Sequence, residues 1–409
     1  MTGDKMSELI KQRIAAVRRG EIPEGYRKER RIGLGPKDWK VGTLSDVLHC
    51  EQRSVPKPTE PYWRLGVRSW AKGTFHSFVD DPTTVDMEEL FEVKENDLVV
   101  NITFAWEHAI AVASKEDEGL LVSHRFPTYV FDHGNVPAYF KAVVSQKHFK
   151  DMLDTISPGG AGRNRVLDRK DFLRLPCYIP PVSEQLKIAE ILLSCDRVIE
   201  TEQKLIEELQ RMKKTCLAKM FPREGTTVPE LRFPGFTAPW EQRKLGDVLQ
   251  TLPFKAYLKS PEQDGRYEII QQGSDPIIGY ANGEPCKDYK NTVIFGDHTI
   301  SLYKPKNPFF VATDGVRIVK GFENMDGNYL LSLLERNKPQ SEGYKRYYSI
   351  LADIDVFFTG NHEEQSKIGE YFSELDNLIT LHQRELEEEQ RKKKALMQLL
   401  LTGLVRVNA

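Results

Sequence analysis

The stretch Ser183-Glu184-Gln185-Leu186-Lys187-Ile188-Ala189-Glu190 is matched about 180 residues later by Glu363-Glu364-Gln365-Ser366-Lys367-Ile368-Gly369-Glu370. The same spacing then continues without a gap. The matched pairs further along are Asp196 with Asp376, Ile199 with Ile379, Gln203 with Gln383 and Lys213 with Lys393. A match of this length in polar residues indicates an internal duplication. The chain is therefore predicted to consist of two related halves.

A second repeat opens each half. Trp39 followed by Leu44-Ser45-Asp46-Val47-Leu48 is matched by Trp240 followed by Leu245-Gly246-Asp247-Val248-Leu249. Its offset is about 20 residues larger, so the modules differ in length while their boundaries are shared. The predicted order is an N-terminal segment (1–38), a first variable module (39–182), a central long helix (183–222), a linker (223–239), a second variable module (240–362) and a distal long helix (363–409).

The repeated segments have the pattern of long helices. Ile179-Pro180-Pro181-Val182 ends an extended strand, and Ser183 as N-cap with Glu184 in the first turn predicts a helix start. Apolar residues then recur at spacings of three, four and seven, which is typical of a coiled-coil seam. The seam residues are Ile191, Cys195, Val198, Leu205, Leu209, Met212 and Cys216 in one copy, and Ile368, Phe372, Leu375, Ile379, Leu386, Leu396 and Leu400 in the other. The two helices are expected to pack on each other; packing on separate domains is the alternative.

Composition limits the class of protein. The 409 residues are 40% hydrophobic and 29% charged, and no apolar run is long enough to span a membrane. The five cysteines are scattered without a CxxC pair, so we expect a cytoplasmic protein without a disulfide framework or metal site. The net charge is −2, so any binding of nucleic acid depends on local basic patches.

The variable modules mix short strands with turns and helices, which indicates an α+β fold. The predicted strands are 62–67, 97–102 and 126–131 in the first module, and 267–270, 291–295 and 315–319 in the second. Helices are expected near 136–153 and 328–334.

Each module has a loop of glycine and basic residues near its end, Gly159-Gly160-Ala161-Gly162-Arg163-Asn164-Arg165 and Glu342-Gly343-Tyr344-Lys345-Arg346. Glycine lets a backbone approach a phosphate, and arginine or lysine can bind a phosphate or a guanine edge. A plain turn is the alternative. The candidate DNA ligands in these loops are Arg163, Asn164, Arg165, Lys345 and Arg346. Further candidates lie in polar breaks between strands, where solvated loops, or the core for Trp106, are the alternative: Asn101, Thr103, Trp106, His124, Arg125, His298 and Asp314.

Patterns of catalytic chemistry are missing from the sequence. It contains neither a GxxxxGK[ST] phosphate loop nor an HExxH metal motif. Asn307-Pro308-Phe309-Phe310 is similar to the Asn-Pro-Pro-aromatic signature of adenine methyltransferases, but it lacks the second proline and a glycine-rich turn for a methyl donor. We interpret it as a turn entering a strand. No catalytic residue is predicted, which favours a recognition role.

Over essentially its whole length the chain resembles the specificity subunit of type I restriction-modification systems. The segments that carry the resemblance are Gly25-Tyr26-Arg27-Lys28, Ile32-Gly33, Pro36-Lys37-Asp38-Trp39, Leu44-Ser45-Asp46-Val47, Ile179-Pro180-Pro181-Val182-Ser183-Glu184-Gln185, Phe233-Pro234-Gly235-Phe236 and Trp240-Glu241-Gln242-Arg243-Lys244-Leu245-Gly246-Asp247-Val248. One departure is Phe358-Thr359-Gly360-Asn361-His362, where the family usually has paired prolines before the distal helix.

The resemblance implies two similar target-recognition domains separated by two long helices that form an antiparallel coiled coil. Each domain would bind one half of a bipartite site on double-stranded DNA, in a host-defence system. Two methyltransferase subunits using S-adenosylmethionine would dock on the chain, and two restriction subunits using ATP and Mg would complete the complex. The chain itself would hold no cofactor and catalyse nothing. The alternatives are a DNA methyltransferase or nuclease with unrecognised motifs, and a helical scaffold protein.

Overall fold

The computed structural model describes residues 3–159 and 165–407. The chain forms two compact units, one made of Met1–Glu200 with Glu387–Ala409 and the other of Thr201–Leu386. Both repeated segments are long helices, so each unit contains a section of each helix.

The first unit contains two main sheets. Its strands are β1 (Tyr26–Glu29), β2 (Gly33–Pro36), β3 (Lys40–Thr43), β4 (Leu48–Cys50), β5 (Arg53–Pro56), β6 (Tyr62–Val67), β7 (Thr74–Val79), β8 (Glu89–Glu92), β9 (Leu98–Val100), β10 (Ile110–Val112), β11 (Leu121–Val122), β12 (Thr128–Phe131) and β13 (Pro176–Ile179). One sheet has the order β10-β9-β12-β4 and is antiparallel. The other has the order β5-β8-β11-β6-β7, in which β11 runs parallel to β6.

The helices of the first unit are α1 (Gly3–Arg18), α2 (Pro137–Val144), α3 (Lys147–Thr155), α4 (Arg169–Leu173) and α5 (Val182–Lys219), the central helix. Helices α2 to α5 pack against the first of these sheets. Leu98 and Tyr129 from the sheet share one core with Phe140, Phe149 and Phe172 from the helices, and all five are at most 1% exposed. Burial of large apolar side chains of this kind is the main stabilising contribution to such a unit.

The second unit repeats this plan with fewer strands. Its strands are β14 (Glu241–Lys244), β15 (Leu249–Leu252), β16 (Tyr267–Ile270), β17 (Ile277–Ala281), β18 (Thr292–Gly296), β19 (Leu302–Tyr303), β20 (Phe309–Val311), β21 (Val316–Gly321) and β22 (Asp355–Phe358). Its helices are α6 (Leu245–Val248), α7 (Gly327–Asn337), α8 (Tyr348–Ala352) and α9 (His362–Leu401), the distal helix.

Strand order shows that the two modules share one topology. The sheet β4-β12-β9-β10 corresponds to β15-β21-β18-β19, and β7-β6-β11 corresponds to β17-β16-β20, with a parallel pair in each. The two-stranded sheets β3-β13 and β14-β22 also correspond. The first module additionally has β5 and β8 at the sheet edge, which accounts for its greater length. The predicted α+β fold with two similar modules is confirmed.

Ion pairs show that the two long helices run antiparallel. In the first unit Glu184 pairs with Arg406 and Asp196 with Lys393. In the second unit Lys213 Nζ lies 2.6 Å from Asp376 Oδ1. Asp196 and Asp376 are repeat equivalents, as are Lys213 and Lys393, so the duplication repeats the same pair in each unit. Burial alone would lower the pKa of Lys213, but Asp376 and Glu335, 2.6 Å away on α7, raise it.

The helix starts differ from the predicted N-cap. The carbonyl of Pro181 accepts the N–H groups of Glu184 and Gln185 at 2.9 and 3.0 Å, so the helix begins at Val182 and Ser183 lies inside its first turn. The proline ring fixes φ at the residue that precedes the helix. The predicted distal helix is present although the paired prolines are missing before it. There Asn361 Oδ1 accepts the N–H groups of Glu363 and Glu364 at 3.0 and 3.1 Å.

Two further sequence expectations were wrong in detail. Val198 and Met212, assigned to the seam, are exposed. The central helix also buries Ile188 and Leu192 in the core of the first module. Neither residue was assigned to the seam, so the apolar face of the helix differs from the one that the spacing predicted. The helix expected over 136–153 is two helices, because Gln146 adopts an extended conformation between them.

Candidate nucleic-acid interface

Three separate segments of the first module meet at the end of β9. The N–H of Ile102 donates to the carbonyl of Arg125 at 3.0 Å, and the carbonyl of Ile102 accepts the N–H of Leu167 at 2.9 Å. These two bonds bring together the three segments in which the candidate residues Asn101, Arg125 and Arg165 were predicted.

The second module joins its three candidate segments in the same way. The N–H of Asp297 donates to the carbonyl of Gly315 at 2.8 Å, and the carbonyl of Asp297 accepts the N–H of Tyr347 at 2.8 Å. Asp297 follows β18, which corresponds to β9. Gly315 precedes β21 as Arg125 precedes β12, and Tyr347 precedes α8 as Leu167 precedes α4. The candidate residues therefore occupy equivalent places in the two folds.

Arg165 is held within the protein. Its Nη2 donates to Asp154 Oδ1 at 2.6 Å and its Nε donates to the carbonyl of Ser157 at 2.9 Å. The guanidinium carbon also lies 5.2 Å from the ring centre of Trp106, whose Nε1 donates to the carbonyl of Thr103 at 3.2 Å. These contacts tie Arg165 to α3 and to Trp106. Arg163 and Asn164 lie outside the described residues.

The remaining candidates of the first module differ in exposure. Asn101 is buried, and its Oδ1 accepts the N–H of Thr103 at 3.1 Å, so its amide supports the turn. His124 and Arg125 are exposed. Arg169, which the sequence did not single out, donates to the carbonyl of His124 at 2.6 Å and places that loop.

In the second module, His298 is the contact between the segments. Its N–H donates to Gln272 Oε1 at 3.0 Å, and its Nδ1 lies 3.2 Å from the carbonyl of Lys345. Its ring stacks on Tyr344 with centroids 4.6 Å apart and an interplanar angle of 7°. Tyr344 is 88% exposed, so this stack displays an aromatic face to solvent.

Charged groups surround this stack. Arg346 lies 3.6 Å from Asp314, and both side chains are more than half exposed. Lys345 Nζ donates to Glu342 Oε2 at 2.7 Å, and this hydrogen bond raises the pKa of Lys345. Weak exposed pairs of this kind can exchange their carboxylate for another anion at little cost.

The buried carboxylate of Asp297 supports the second site from below. It accepts Nε and Nη2 of Arg317, each at 3.1 Å, and the N–H of Tyr348 at 2.9 Å. A buried carboxylate needs such partners, because an unpaired charge in the interior is strongly unfavourable. Sequence reasoning missed Asp297 and Gln272, since no local pattern distinguishes them from other polar loop residues.

The repeated Glu-Gln pair anchors each module to its helix. Gln185 Oε1 accepts the N–H of Val136 at 3.0 Å and its Nε2 donates to the carbonyl of Pro180 at 2.9 Å. Gln365 likewise accepts the N–H of Asp326 at 3.1 Å and donates to the carbonyl of Thr359 at 2.7 Å. Val136 and Asp326 are the N-caps of α2 and α7. The same side chain therefore fixes equivalent module helices.

Each glutamate of the pair binds an arginine with two nitrogen atoms. Arg406 reaches Glu184 with Nε at 2.7 Å and Nη2 at 2.9 Å, and Arg232 reaches Glu364 with Nε at 2.7 Å and Nη2 at 3.0 Å. One arginine comes from the segment after the distal helix and the other from the linker after the central helix. Glu184 also accepts a hydrogen bond from Trp39 Nε1 at 2.9 Å, which gives the tryptophan that opens the first half a structural role.

One group among the described residues brings metal-ligand atoms together. Glu202, His382 and Glu385 place their ligand atoms within 4.8 Å of one another. His382 Nδ1 lies 3.0 Å from a carboxylate oxygen of each glutamate, so a contact with Glu202 on the central helix and one with Glu385 on its own helix account for the grouping. Within the portion of the chain that the structure covers, no helix is long and apolar enough to cross a membrane.

Asn307-Pro308-Phe309-Phe310 lies apart from these sites. Phe309 and Phe310 begin β20 and are buried, so the interpretation as a turn entering a strand is confirmed.

The fold and its paired loops define a duplicated recognition protein with two equivalent sites on two related modules. The profile of the family described as type I restriction modification DNA specificity domain matches residues 36–211 and 238–389. The chain belongs to this family. Its members recognise DNA and are not catalytic, so the chain is a specificity subunit with two target-recognition domains and has no cofactor of its own.

Named relatives agree with this assignment. The chain is 25% identical to the putative type I restriction enzyme MjaX specificity subunit of Methanocaldococcus jannaschii over 93% of this chain and 96% of the relative. It is 26% identical to the MjaVIII specificity subunit of the same organism over 59% of this chain and 64% of that protein.

Solved structures share the fold. The S subunit of a type I restriction-modification system from M. genitalium matches with a TM-score of 0.59 and 15% identity, covering 91% of this chain and 97% of that one. A chain from a study of complex assembly and conformational transition of the type I R-M system matches with a TM-score of 0.50 and 14% identity, covering 90% and 99%.

Proposed function

We propose that the chain selects DNA for a type I restriction-modification complex, with each recognition domain binding one half of a bipartite site on double-stranded DNA. The domains are assigned to residues 39–182 and 240–362. The observation that carries the proposal is the matched assembly of three candidate segments at the end of β9 and again at the end of β18. Two domains that bind different half-sites require equivalent surfaces built from different side chains.

Exposed or partly exposed side chains are the proposed DNA contacts within this assembly. They are His124 and Arg125 in the first domain, and Asp314, Lys345 and Arg346 in the second. Arginine binds guanine with two hydrogen bonds or binds phosphate, and an aspartate accepts a hydrogen bond from cytosine. Asn101, Thr103, Trp106, Arg165 and His298 position these groups. Arg163 and Asn164 of the same basic loop, which lie outside the described residues, remain proposed DNA contacts.

The long helices are the proposed spacer and docking surface. Residues 183–222 and 363–409 would set the distance between half-sites and bind two methyltransferase subunits, which use S-adenosylmethionine. Two restriction subunits using ATP and Mg would join the full complex, in the cytoplasm where the DNA lies. Support for this arrangement comes from the duplicated ion pairs and Glu-Gln anchors, which fix each module to its helices.

The test uses the chain co-expressed with its methyltransferase partner, and methylome sequencing defines the bipartite motif. Arg125→Ala should weaken recognition of one half-site and Arg346→Ala that of the other. The cost should be about 1–3 kcal/mol at the base contacted, or uniform across sequences for a phosphate contact. Both side chains are exposed, so the variants should fold.

Arg174→Ala and Lys287→Ala are the matched controls, because these side chains are about three-quarters exposed and lie outside the three segments. Unchanged half-site discrimination in both folded test variants would exclude these surfaces as readers. Methyl transfer by the chain without a partner would favour the enzymatic alternative.

A further inference from the structure

The connection between β6 and β7 presents a tryptophan beside the first candidate site. It comprises Arg68-Ser69-Trp70-Ala71-Lys72-Gly73, and the Trp70 side chain is 62% exposed. Trp70 and Ala71 have φ angles of 64° and 50°. Two successive non-glycine residues in the left-handed region are unfavourable, and such strain is concentrated at functional sites.

Hydrogen bonds to the candidate site hold the loop in this conformation. The N–H of Trp70 donates to the carbonyl of Glu107 at 2.8 Å, and the N–H of Ala71 donates to the carbonyl of His108 at 2.8 Å. Ser69 Oγ also donates to Glu107 Oε2 at 2.7 Å. Glu107 and His108 directly follow Trp106, so the loop is attached to the segment that carries the first site. The exposed indole is therefore presented by a fixed backbone.

Basic side chains lie beside the indole. Lys150 Nζ lies 5.2 Å from the centre of the Trp70 ring, and Arg68 and Lys72 of the same loop are exposed. Lys150 is on α3, one turn before Asp154, which binds Arg165. An aromatic face next to ammonium and guanidinium groups matches a nucleic acid, which offers a base for stacking and a phosphate for pairing.

We propose that Trp70 stacks on a base at the first half-site, with Lys150 binding a neighbouring phosphate. This inference rests on the proposed DNA-recognition function. Inserting an apolar side chain at a base step requires the bases to unstack, and a pre-ordered side chain offsets this cost better than a mobile one. The equivalent connection of the second domain, Gln271-Gln272-Gly273-Ser274-Asp275-Pro276, has no aromatic residue, so stacking from this connection is confined to the first domain.

The experiment uses the chain with its methyltransferase partner and a duplex carrying the motif defined by the methylome. Trp70→Ala should weaken binding about tenfold, while Trp70→Phe retains most of the affinity. Tryptophan emission should be quenched by the duplex in the wild type, and the quenching should be smaller in Trp70→Phe. A 2-aminopurine placed in the first half-site should lose its fluorescence change in Trp70→Ala. Lys150→Met should reduce the salt dependence by about one phosphate contact.

Trp63→Ala is the matched control, because Trp63 lies on the same hairpin, is 52% exposed and packs at a tilt against Phe78, and no cation among the described residues lies over its ring. This variant should bind like the wild type. Folded Trp70→Ala with wild-type affinity, or an equal loss in Trp63→Ala, would overturn the proposal. A change in Trp70 emission caused by the methyltransferase partner without DNA would also overturn it, by assigning the residue to a protein interface. Failure of the proposed function can be distinguished from failure of the stacking proposal, because in the first case the wild-type complex itself would show no half-site preference.

Discussion

The two anchoring glutamines show how one residue type can maintain a duplicated architecture. Gln185 and Gln365 are at most 3% exposed, and each amide satisfies one backbone N–H and one backbone carbonyl. A leucine would fill the space but leave both backbone groups without a partner. Leaving a buried polar group unsatisfied costs about 1–3 kcal/mol. The side chain therefore couples the start of each long helix to the module that it supports.

Replacing Gln185 by leucine should lower the free energy of unfolding of the first unit by about 2–4 kcal/mol. Urea unfolding monitored by circular dichroism measures this change. Gln203→Leu is the control, because Gln203 lies on the same helix and is exposed. Equal stabilities of the two variants would show that the anchor contributes little.

His108 should make the first unit sensitive to mild acid. It is buried, its Nε2 lies 2.6 Å from the carbonyl of Val144, and burial lowers its pKa below the ordinary value of 6.5. The folded state keeps the neutral imidazole, whereas the unfolded chain takes up a proton below about pH 6.5. Stability should therefore be full above that pH and should fall as the pH decreases toward the lower folded-state pKa.

Unfolding measured in urea between pH 7.5 and 5 tests this dependence. His108→Asn should be less stable at pH 7.5 but should show a shallower decline, because the titrating group is gone. Asparagine is suitable because it tolerates the φ of 66° at this position. An unchanged slope in the variant would rule out His108 as the source.

At the scale of elements, each helix start uses different chemistry for the same purpose. Pro180-Pro181 precedes the central helix, whereas the distal helix has Asn361, whose side chain caps two N–H groups. Asn361→Ala should lower the free energy of unfolding of the second unit by about 1 kcal/mol, and Asn361→Asp should keep most of it. Thermal unfolding of the two variants provides the comparison. Equal melting temperatures for alanine and aspartate would contradict a capping role.

The sequence predicted these elements where a pattern was local or repeated. The spacing of the apolar residues in the repeated segments identified both long helices, and composition identified a glycine-and-basic loop near the end of each module. The same spacing could not show that Arg165 is bound by Asp154 or that Asn101 is buried, because these contacts depend on the folded path of the chain. The exposure of Val198 was missed because heptad spacing assumes one packing partner for the helix.

Trp70 shows more clearly what could not be predicted from the sequence. The basic and aromatic composition of its loop was visible in the sequence. Its left-handed backbone, however, depends on bonds to Glu107 and His108, almost 40 residues away in the chain. Residues whose geometry is imposed by distant partners leave no periodic signal.

At the scale of the whole molecule, duplication separates two tasks. Segments that repeat in sequence, such as the Glu-Gln pair and the Asp196–Lys393 and Lys213–Asp376 pairs, fix helices and modules. Segments that do not repeat form the surfaces assigned to DNA. Because the helices carry the shared residues, the distance between half-sites should depend on helix length and not on the sequence of either recognition domain.

Inserting seven residues into each long helix, after Gln203 and after Gln383, tests this separation. A heptad preserves the packing face and lengthens each helix by about 10 Å. Since DNA rises about 3.4 Å per base pair, the unread gap in the methylated motif should grow by about three base pairs with both half-site sequences unchanged. Methylome sequencing of cells with the altered chain and its methyltransferase partner reads the motif directly. A seven-residue insertion at the exposed linker residue Gly225 should leave the gap as it is. An active complex that keeps the original gap would show that helix length does not determine the distance between half-sites. The partners would then set that distance.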